Sequence, residues 1–254
     1  MRTRVIPCLL LSDEGLVKTV RFADPTYVGD PINAVRIFSD RFVDEIMFMD
    51  IDASPEGRGP NVEFIGDITS ECFIPFAYGG GIRSVADAEK LFAVGVEKIA
   101  VNTVALKHPE VVTALSQQFG AQSIIGAMDV KRGLFGKYHV TLDRGTRTAG
   151  ISPADHAQRL IELGVGEILV NSVDRDGTMS GFDCGIVQAV NTASTVPTIA
   201  CGGAGSLAHV ADVVHKTSVS AAAAGSLFVF KGPHRAVLIN YPARSELRKA
   251  LGEI

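Results

Sequence analysis

Several familiar signatures are missing from this sequence, and each absence excludes a class of protein. No CxxC pair occurs, so we expect free, buried thiols in a reducing compartment at Cys8, Cys72, Cys184 and Cys201. No run of basic residues stands out in a chain of net charge −4, which argues against nucleic acid as a partner. The longest apolar run is far too short to cross a bilayer. We therefore expect a soluble, cytoplasmic protein that binds neither nucleic acid nor membrane.

A metal-binding pattern is also missing. No two of the six histidines stand four residues apart, as they would to hold a metal from one face of a helix. We expect surface or capping roles for them, no metal and no cofactor. The histidines are His108, His139, His156, His209, His215 and His234.

The length and composition that are present favour one globular domain. The chain has 254 residues, a usual length for a single (β/α)8 barrel, with 46% hydrophobic and 20% charged residues. Two arginines and a short apolar run at the start are compatible with a signal peptide. Pro7 interrupts that run and Ser12 ends it, so a first barrel strand is the better interpretation.

Short apolar runs alternate along the chain with stretches of helical period. Apolar strands followed by amphipathic helices predict an α/β fold, here a single (β/α)8 barrel over residues 1–254. Ser84–Val94 and Pro153–Leu163 are predicted helices, with Ser84 and Ser152 as N-caps. The predicted strands are Val5–Leu11, Glu45–Ile51, Phe73–Tyr78, Lys98–Val101, Ser123–Met128, Glu167–Val170, Thr198–Cys201 and Ser220–Ala224.

A two-fold internal repeat is visible between the halves. The first half has DEIMFMDIDAS, then GGGI at Gly79–Ile82, then AVNT at Ala100–Thr103. The second half has GEILVNSVDRDG, then GGAG at Gly202–Gly205, then AAGS at Ala223–Ser226. Each half thus places an acidic strand end, a glycine cluster and a small-residue strand end in the same order. This predicts two half-barrels, each with its own anion site.

Each glycine cluster lies between a strand and a helix, where backbone N–H groups and the helix dipole favour phosphate. A cluster of this kind also makes a tight turn without any ligand, but two clusters at equivalent strand ends favour phosphate binding. Two facing sites suit a substrate with phosphate at both ends. The predicted contacts are Gly80, Gly81, Asn102 and Thr103 for one phosphate, and Gly202, Gly203, Gly225 and Ser226 for the other.

The segment NSVDRDGT at Asn171–Thr178 is unusually polar for the end of a barrel strand. An Asp-Gly turn would explain part of it. Its position at a C-terminal strand end favours function instead. Asp174 and Asp176 are candidates for orienting substrate hydroxyls, and Asp176, Gly177 and Thr178 join the predicted phosphate-binding set.

Acidic residues also end two other predicted strands. Asp129 follows the apolar run IIGAMD, where a carboxylate is costly to bury without a role, so it is a candidate acid or base. Asp50 and Asp52 end the second strand and are either catalytic or caps of the following loop. The stretch Lys18–Pro31 is long for a strand-to-helix connection and is predicted to close over substrate.

Four charged residues stand at the opposite ends of strands one, two, four and six. Two cations and two carboxylates would ring the bottom of the barrel. Chemistry alone favours ordinary surface salt bridges or a structural plug for such a ring. The four residues are Arg4, Glu45, Lys98 and Glu167.

These motifs together resemble HisF, the cyclase subunit of imidazole glycerol phosphate synthase, over nearly the whole chain. The motifs that match that family are RVIPCL, DIDAS, GGGI, VNT, GEIL, VDRDGTMSG, IACGGAG and AAGSLF. The resemblance implies a HisH-like glutaminase at the N-terminal barrel face. It also implies that Arg4, Glu45, Lys98 and Glu167 gate the ammonia, which reverses the preference for a plug. Asp129 matches the second of two catalytic aspartates, and Lys18 joins it as a candidate catalytic residue.

One departure from that family stands in the first strand. HisF carries a catalytic aspartate directly after its Cys-Leu, whereas this chain has Leu10 there. Leucine cannot transfer a proton, so imidazole ring closure should be impaired. Three segments resemble instead the WbuZ-type paralogues of HisF. They are the CLLL run, TYVGDP and the tail HRAVLINYP at His234–Pro242.

The WbuZ-type resemblance implies an ammonia-conducting subunit that serves amidation of a sugar for surface polysaccharide. Its partners would be a HisH-like glutaminase, a phosphorylated or nucleotide-linked small molecule, and a separate amidotransferase that makes acetamidino sugars. Two alternatives stay open: an imidazole glycerol phosphate synthase subunit, and a non-catalytic scaffold that activates the glutaminase. A phosphoribosyl isomerase barrel is disfavoured, because it needs an aspartate at the place of Leu10 and has no use for the ring of charges.

Overall fold

The computed structural model describes residues 3–232 and 234–252 and shows a closed barrel of eight parallel strands. Each strand pairs with its sequence neighbours, and the last pairs with the first, so the barrel has no open edge. The predicted (β/α)8 barrel is confirmed. Its strands are β1 (Arg4–Ser12), β2 (Ile46–Asp50), β3 (Phe76–Gly79), β4 (Lys98–Val101), β5 (Ile124–Arg132), β6 (Glu167–Ser172), β7 (Thr198–Cys201) and β8 (Ala221–Ala224).

Helices surround the barrel in the expected alternation. Ser84 and Ser152 are N-caps as predicted, because each hydroxyl accepts the backbone N–H three residues on, at 3.2 Å. The helices are α1 (Pro31–Asp40), α2 (Val62–Ser70), α3 (Val85–Ala93), α4 (Thr103–Lys107), α5 (Pro109–Phe119), α6 (Pro153–Glu162), α7 (Cys184–Ala193), α8 (Leu207–Thr217), α9 (Ser226–Val229) and α10 (Arg244–Leu251). No described helix is both long and apolar enough to cross a membrane.

Two β-hairpins extend the C-terminal face of the barrel. The stretch predicted as a long loop is the first hairpin, whose strands run over Gly15–Val20 and Ala23–Gly29. The second follows β5, with strands at Tyr138–Leu142 and Arg147–Thr148. Both hairpins pair edge to edge with a barrel strand, so they stand above the mouth of the barrel. A further short pair joins Phe230–Lys231 to Ala236–Val237.

Six of the eight predicted strands have both bounds within two residues of the observed ones, and β5 continues to Arg132, four residues past its predicted end. The third run was expected to begin at Phe73, but β3 begins at Phe76 and Phe73 is 84% exposed. The cysteine prediction was right about the thiols being free, but only Cys8 is fully buried. Cys72, Cys184 and Cys201 are partly exposed, which corrects the expectation of burial.

Two apolar layers hold the fold together. The outer layer packs strands against helices, and it includes the edge-to-face contact of Phe38 with Phe228 at 6.5 Å between ring centroids. The inner layer fills the barrel with side chains from alternate strand positions. Small residues are prominent in it, and all of its members are apolar. Its members include Ile6, Met47, Ala77, Ala100, Ile125, Ala127, Leu169, Ile199, Ala221 and Ala223.

Candidate functional site

A pocket of about 420 Å³ opens at the C-terminal ends of the strands, where barrel enzymes place their chemistry. The structure brings nearly all of the predicted catalytic and phosphate-binding residues to it. Those that line the pocket are Lys18, Gly80, Gly81, Asn102, Thr103, Asp129, Asp176, Gly177, Gly202, Gly203, Gly225 and Ser226. Thr178 does not line it.

Asp129 lies on the floor of the pocket, held between two amides. Asn102 Nδ2 donates to one of its carboxylate oxygens at 2.8 Å, and Asn171 Nδ2 donates to the other at 3.1 Å. Burial raises the pKa of Asp129 to about 6, although these two hydrogen bonds act in the opposite direction. A carboxyl of that pKa exchanges protons readily near neutral pH, which suits an acid–base group.

Lys18 and Asp176 form a buried pair at the side of the pocket. Lys18 Nζ lies 3.0 Å from Asp176 Oδ1, and the hydroxyl of Thr19 donates to Asp176 Oδ2 at 2.7 Å. Both bonds tie the first hairpin to the loop after β6. The Asp176 carboxylate therefore holds the hairpin instead of standing free to contact a phosphate, and Lys18 presents a fixed positive charge beside the pocket.

The first glycine cluster follows β3 and requires glycine on steric grounds. Gly80 and Gly81 have φ of +125° and +69°, and a Cβ at Gly80 would lie 2.5 Å from the carbonyl oxygen of Asp50. Thr103 begins the short helix α4 beside this turn. The side chain of Asn102 points to Asp129, so only its backbone is placed for the predicted phosphate contact.

The second glycine cluster follows β7 and has the same form. Gly202 and Gly203 have φ of +90° and +108°, and a Cβ at Gly203 would lie 2.2 Å from the carbonyl oxygen of Gly181. Gly225 and Ser226 stand next to them at the start of α9. The Ser226 hydroxyl is buried and has no hydrogen-bond partner among the described residues. That unpaired hydroxyl is available to an oxygen of a ligand.

Two residues of the predicted substrate loop point away from the pocket. The Thr178 hydroxyl is 2.8 Å from the carbonyl oxygen of Arg175 and from the Ser180 hydroxyl. Asp174 accepts the backbone N–H of Arg132 at 2.7 Å, which fixes the second hairpin. Direct contacts of Thr178 with a phosphate and of Asp174 with substrate hydroxyls are therefore corrected to structural roles in the loop.

Of the two roles predicted for Asp50 and Asp52, the structure shows the structural one, because both carboxylates hold loops in place. Asp50 accepts two bonds from the Arg58 guanidinium, at 2.7 and 3.0 Å, and further bonds from the backbone of Asp52 and Ala53. The hydrogen bonds with Asp50 raise the pKa of Arg58 above its ordinary value. Asp52 pairs with Arg144 of the second hairpin. Neither carboxylate is free for catalysis.

Sequence reasoning missed the cations that complete this pocket. Arg83 and Arg144 line its wall, as does Lys107. The turn that carries Arg144 packs against Val173 through Gly145. The sequence near Arg144 gives no sign that this arginine lies at the pocket, because its partner Asp52 is 92 residues away along the chain.

Leu10 occupies the wall of the pocket on β1, where the HisF resemblance places an aspartate. Below it on the same strand lies Cys8, next to Cys201 of β7. A hydrogen bond between these thiols lowers the pKa of Cys8, and it raises the pKa of Cys201 above its usual value. The side of the pocket formed by β1 thus presents leucine and thiol groups, with Asp129 on β5 as the acidic residue of the floor.

The four charged residues at the strand starts form a closed ring at the opposite end of the barrel. Arg4 lies 2.5 Å from Glu45 and 3.0 Å from Glu167, and Lys98 lies 3.1 Å from Glu45 and 3.0 Å from Glu167. Burial alone would lower the pKa of Arg4, but the carboxylates of Glu167 and Glu45 raise it overall. The predicted mutual pairing is confirmed. The ring closes the lower end of the apolar interior.

Two phenylalanines project from the same N-terminal face. Phe42 lies in the loop between α1 and β2 and is 83% exposed, and Phe73 lies between α2 and β3. Phe42 adopts φ of +52°, a conformation that costs free energy for a side chain of this size. Large apolar side chains held out into water beside the charged ring mark a candidate docking surface.

Comparison with known proteins agrees with this geometry. Residues 4–234 match the histidine biosynthesis protein family. The chain is 52% identical to a protein of Pseudomonas aeruginosa PAO1 provisionally named imidazole glycerol phosphate synthase subunit hisF2, over 97% of this chain and 98% of that one. It is 40% identical to the imidazole glycerol phosphate synthase subunit HisF of Streptococcus sanguinis, over 90% of each chain. The chain therefore belongs to the histidine biosynthesis protein family, in its HisF branch.

Proposed function

We propose that this chain is the synthase subunit of a glutamine-dependent enzyme of the imidazole glycerol phosphate synthase type. It would receive ammonia through the ring of charges at one end of the barrel. It would use that ammonia on a phosphorylated substrate held at the other end. The single observation that carries this proposal is the closed ring of Arg4, Glu45, Lys98 and Glu167.

The ring is an unusual way to close a barrel that needs only to be stable. Glu45 is 2% exposed and one of its carboxylate oxygens has no hydrogen-bond partner among the described residues. Buried ion pairs contribute less to stability than well-packed apolar side chains would. Charges at this place therefore favour a role other than stability, and a gate that opens and closes by exchanging ion pairs is such a role.

Above the ring the interior favours neutral ammonia over ammonium. The inner layer consists of alanines and other apolar side chains, among them Ala77, Ala100 and Ala221. A buried ammonium ion without a partner is costly, whereas uncharged ammonia pays no such penalty. In this proposal, ammonia would pass through the interior from the ring to Asp129 at the floor of the pocket. It would thus deliver ammonia in the nucleophilic form.

The glutaminase would dock on the face that carries the ring. Phe42 and Phe73 supply exposed aromatic anchors there, as interfaces between subunits commonly have. The relatives' own names describe them as subunits of a synthase. A HisH-like partner seated over the ring would release ammonia directly at its opening.

The pocket would hold a substrate with phosphate at both ends. The two glycine clusters face it from β3 and β7, in opposite halves of the barrel. Backbone N–H groups and the buried Ser226 hydroxyl would bind the phosphate oxygens. The middle of such a substrate then lies over Asp129, where ammonia emerges.

Asp129 would act as the proton-transfer group of this subunit. Its pKa of about 6 places its ionised form at neutral pH, ready to accept a proton as ammonia adds. Leu10 offers no second proton-transfer group from β1. Ring closure would then proceed with one acid–base residue, and a loss of roughly 10²–10⁴ in rate is the usual cost of a missing one.

The test is the ammonia-dependent reaction itself. The purified chain, the substrate of imidazole glycerol phosphate synthase and ammonium salt are combined, and imidazole glycerol phosphate is followed by chromatography. Slow formation that Asp129→Asn abolishes supports the proposal. No product from either wild type or Leu10→Asp, with the substrate shown to bind, would exclude imidazole glycerol phosphate synthesis.

Leu10 favours a second candidate, in which ammonia serves amidation of a sugar for surface polysaccharide. In the WbuZ-type arrangement a HisH-like glutaminase feeds this barrel, and a separate amidotransferase uses the ammonia. Leucine in place of an acid is then no defect, because bond formation takes place elsewhere. The discriminating assay adds a nucleotide-linked amino sugar and that amidotransferase, and asks whether amidated sugar requires this chain. A requirement for the chain that Lys98→Ala leaves unchanged would point to a scaffold, because a barrel that conducts ammonia needs its ring of charges.

A further inference from the structure

A second cavity of about 680 Å³ lies outside the barrel mouth, behind the loop that follows β6. This groove is formed by the tip of the first hairpin, the start of the second hairpin and the outer side of the β6 loop. We call it the arginine groove, after Arg21, Arg132 and Arg175, which line it together with Thr178 and Ser180. The β6 loop separates it from the catalytic pocket, since Asp176 and Gly177 face the pocket instead.

Three guanidinium groups share this groove with two carboxylates, those of Asp174 and Asp183, so the groove carries one net positive charge. Across residues 3–232 and 234–252 none of these three arginines forms a salt bridge with a carboxylate, whereas Arg58 and Arg144 in the barrel mouth do. Each is oriented by a neutral group instead. Arg21 Nε donates to the carbonyl of Asp174 at 3.3 Å, Arg175 donates to the Ser180 hydroxyl at 3.1 Å, and Arg132 lies 5.9 Å from the centre of the Tyr138 ring.

The two aspartates in the groove are already engaged. Asp174 accepts the backbone N–H of Arg132 at 2.7 Å, and Asp183 accepts the Tyr138 hydroxyl and the backbone N–H of Ile186. These bonds turn the carboxylates to the walls, while the guanidinium forks keep free N–H donors. Guanidinium groups arranged in this way recognise phosphate oxygens in bidentate fashion. The hydroxyls of Thr178 and Ser180 bond to Arg175 and to each other, which holds the side chain of Arg175 in the groove.

We propose that the arginine groove is a second anion-binding site, which takes a small molecule through a diphosphate group. Three guanidinium groups offer more N–H donors than a single phosphate uses, and the groove has room for more than the anion alone. The site is distinct from the two glycine clusters, which bind through backbone amides in the barrel mouth.

The experiment is a calorimetric titration with inorganic pyrophosphate in magnesium-free buffer. Wild type is compared with Arg132→Gln and Arg175→Gln. The matched control is Arg41→Gln, because Arg41 is exposed, as Arg132 is, but lies at the opposite end of the barrel. Each groove variant should weaken pyrophosphate binding by about tenfold or more, as expected for one charge-assisted hydrogen-bonding group. The control should change it less than twofold. Thermal unfolding of each variant confirms that the fold is kept.

A pocket variant separates this site from the glycine clusters. Ser226→Ala, combined with Thr103→Val, removes hydroxyls from the barrel mouth and should leave the groove component of binding intact. Three results would overturn the proposal: no pyrophosphate binding to wild type, equal weakening by Arg41→Gln, or binding that the pocket variant removes and the groove variants leave unchanged. The last of these would still be compatible with the proposed catalytic pocket.

Discussion

Replacing Lys98 by alanine is expected to uncouple glutamine hydrolysis from product formation. Lys98 bridges Glu45 and Glu167, and without it the ring keeps only the two bonds of Arg4. A ring opened in this way no longer controls the entry of ammonia into the barrel interior. Glutamine should still be hydrolysed by the bound glutaminase, but less product should form for each glutamine consumed.

The cost in stability follows from the burial of the ring. Breaking a fully buried ion pair costs about 3–5 kcal/mol, and breaking an exposed one costs about 0–1 kcal/mol. The side chain of Lys98 is 20% exposed and that of Glu45 is 3% exposed, which places this pair between those limits. A loss of about 2 kcal/mol is expected, equivalent to roughly 4–8 °C in Tm for a chain of this size. The barrel should therefore remain folded.

The assay measures the ratio of product to glutamine for the complex of chain and glutaminase. Lys216→Ala is the matched control, since Lys216 pairs with Asp212 on the exposed face of α8 at 2.7 Å. The control should leave the ratio unchanged and should cost under about 0.5 kcal/mol. Lys98→Ala should lower the ratio at least twofold. An unchanged ratio, with the partner shown to be bound, would mean that the ring only closes the barrel.

Three further predictions follow from the same geometry. Leu10→Asp should raise imidazole glycerol phosphate formation by at least tenfold, measured by chromatography, and an unchanged rate would count against the missing proton-transfer group. The Asp129 pKa of about 6 predicts a rate that rises with pH through that value. It also predicts an unfolding free energy that falls as pH rises from about 4 to 6, a slope that Asp129→Asn should remove in denaturant titrations. Phe42→Ser with Phe73→Ser should weaken glutaminase binding by at least a hundredfold in a pull-down or calorimetric titration, while ammonia-dependent activity stays the same.

The barrel and its strand ends could be predicted because they depend on local pattern. Apolar runs of four to seven residues between amphipathic stretches match the observed strands, and Ser84 and Ser152 cap their helices through bonds three residues away. The two glycine clusters could also be predicted from the sequence. Gly80 and Gly203 have positive φ and close backbone contacts that only glycine permits, so the residue type itself marks these turns. Such features need no knowledge of distant residues.

The side-chain partners could not be predicted, because they join residues far apart in the chain. Lys18 meets Asp176 across 158 positions, and Asn171 meets Asp129 across 42. These bonds orient Asp129 on the floor of the pocket and tie Asp176 to the hairpin. The direction of the Thr178 side chain could not be predicted either. In this tight loop Gly177 lines the pocket, whereas the next residue, Thr178, lines the groove.

The route of ammonia is the central claim, and an isotope competition tests it most directly. The complex is supplied with amide-15N glutamine in the presence of excess unlabelled ammonium, and the product is analysed by mass spectrometry. If ammonia passes from the glutaminase through the ring to the pocket above Asp129, nearly all product carries 15N despite the unlabelled pool. Product that carries nitrogen in proportion to the bulk ammonium would contradict the account, because the nitrogen would then enter from solvent at the barrel mouth.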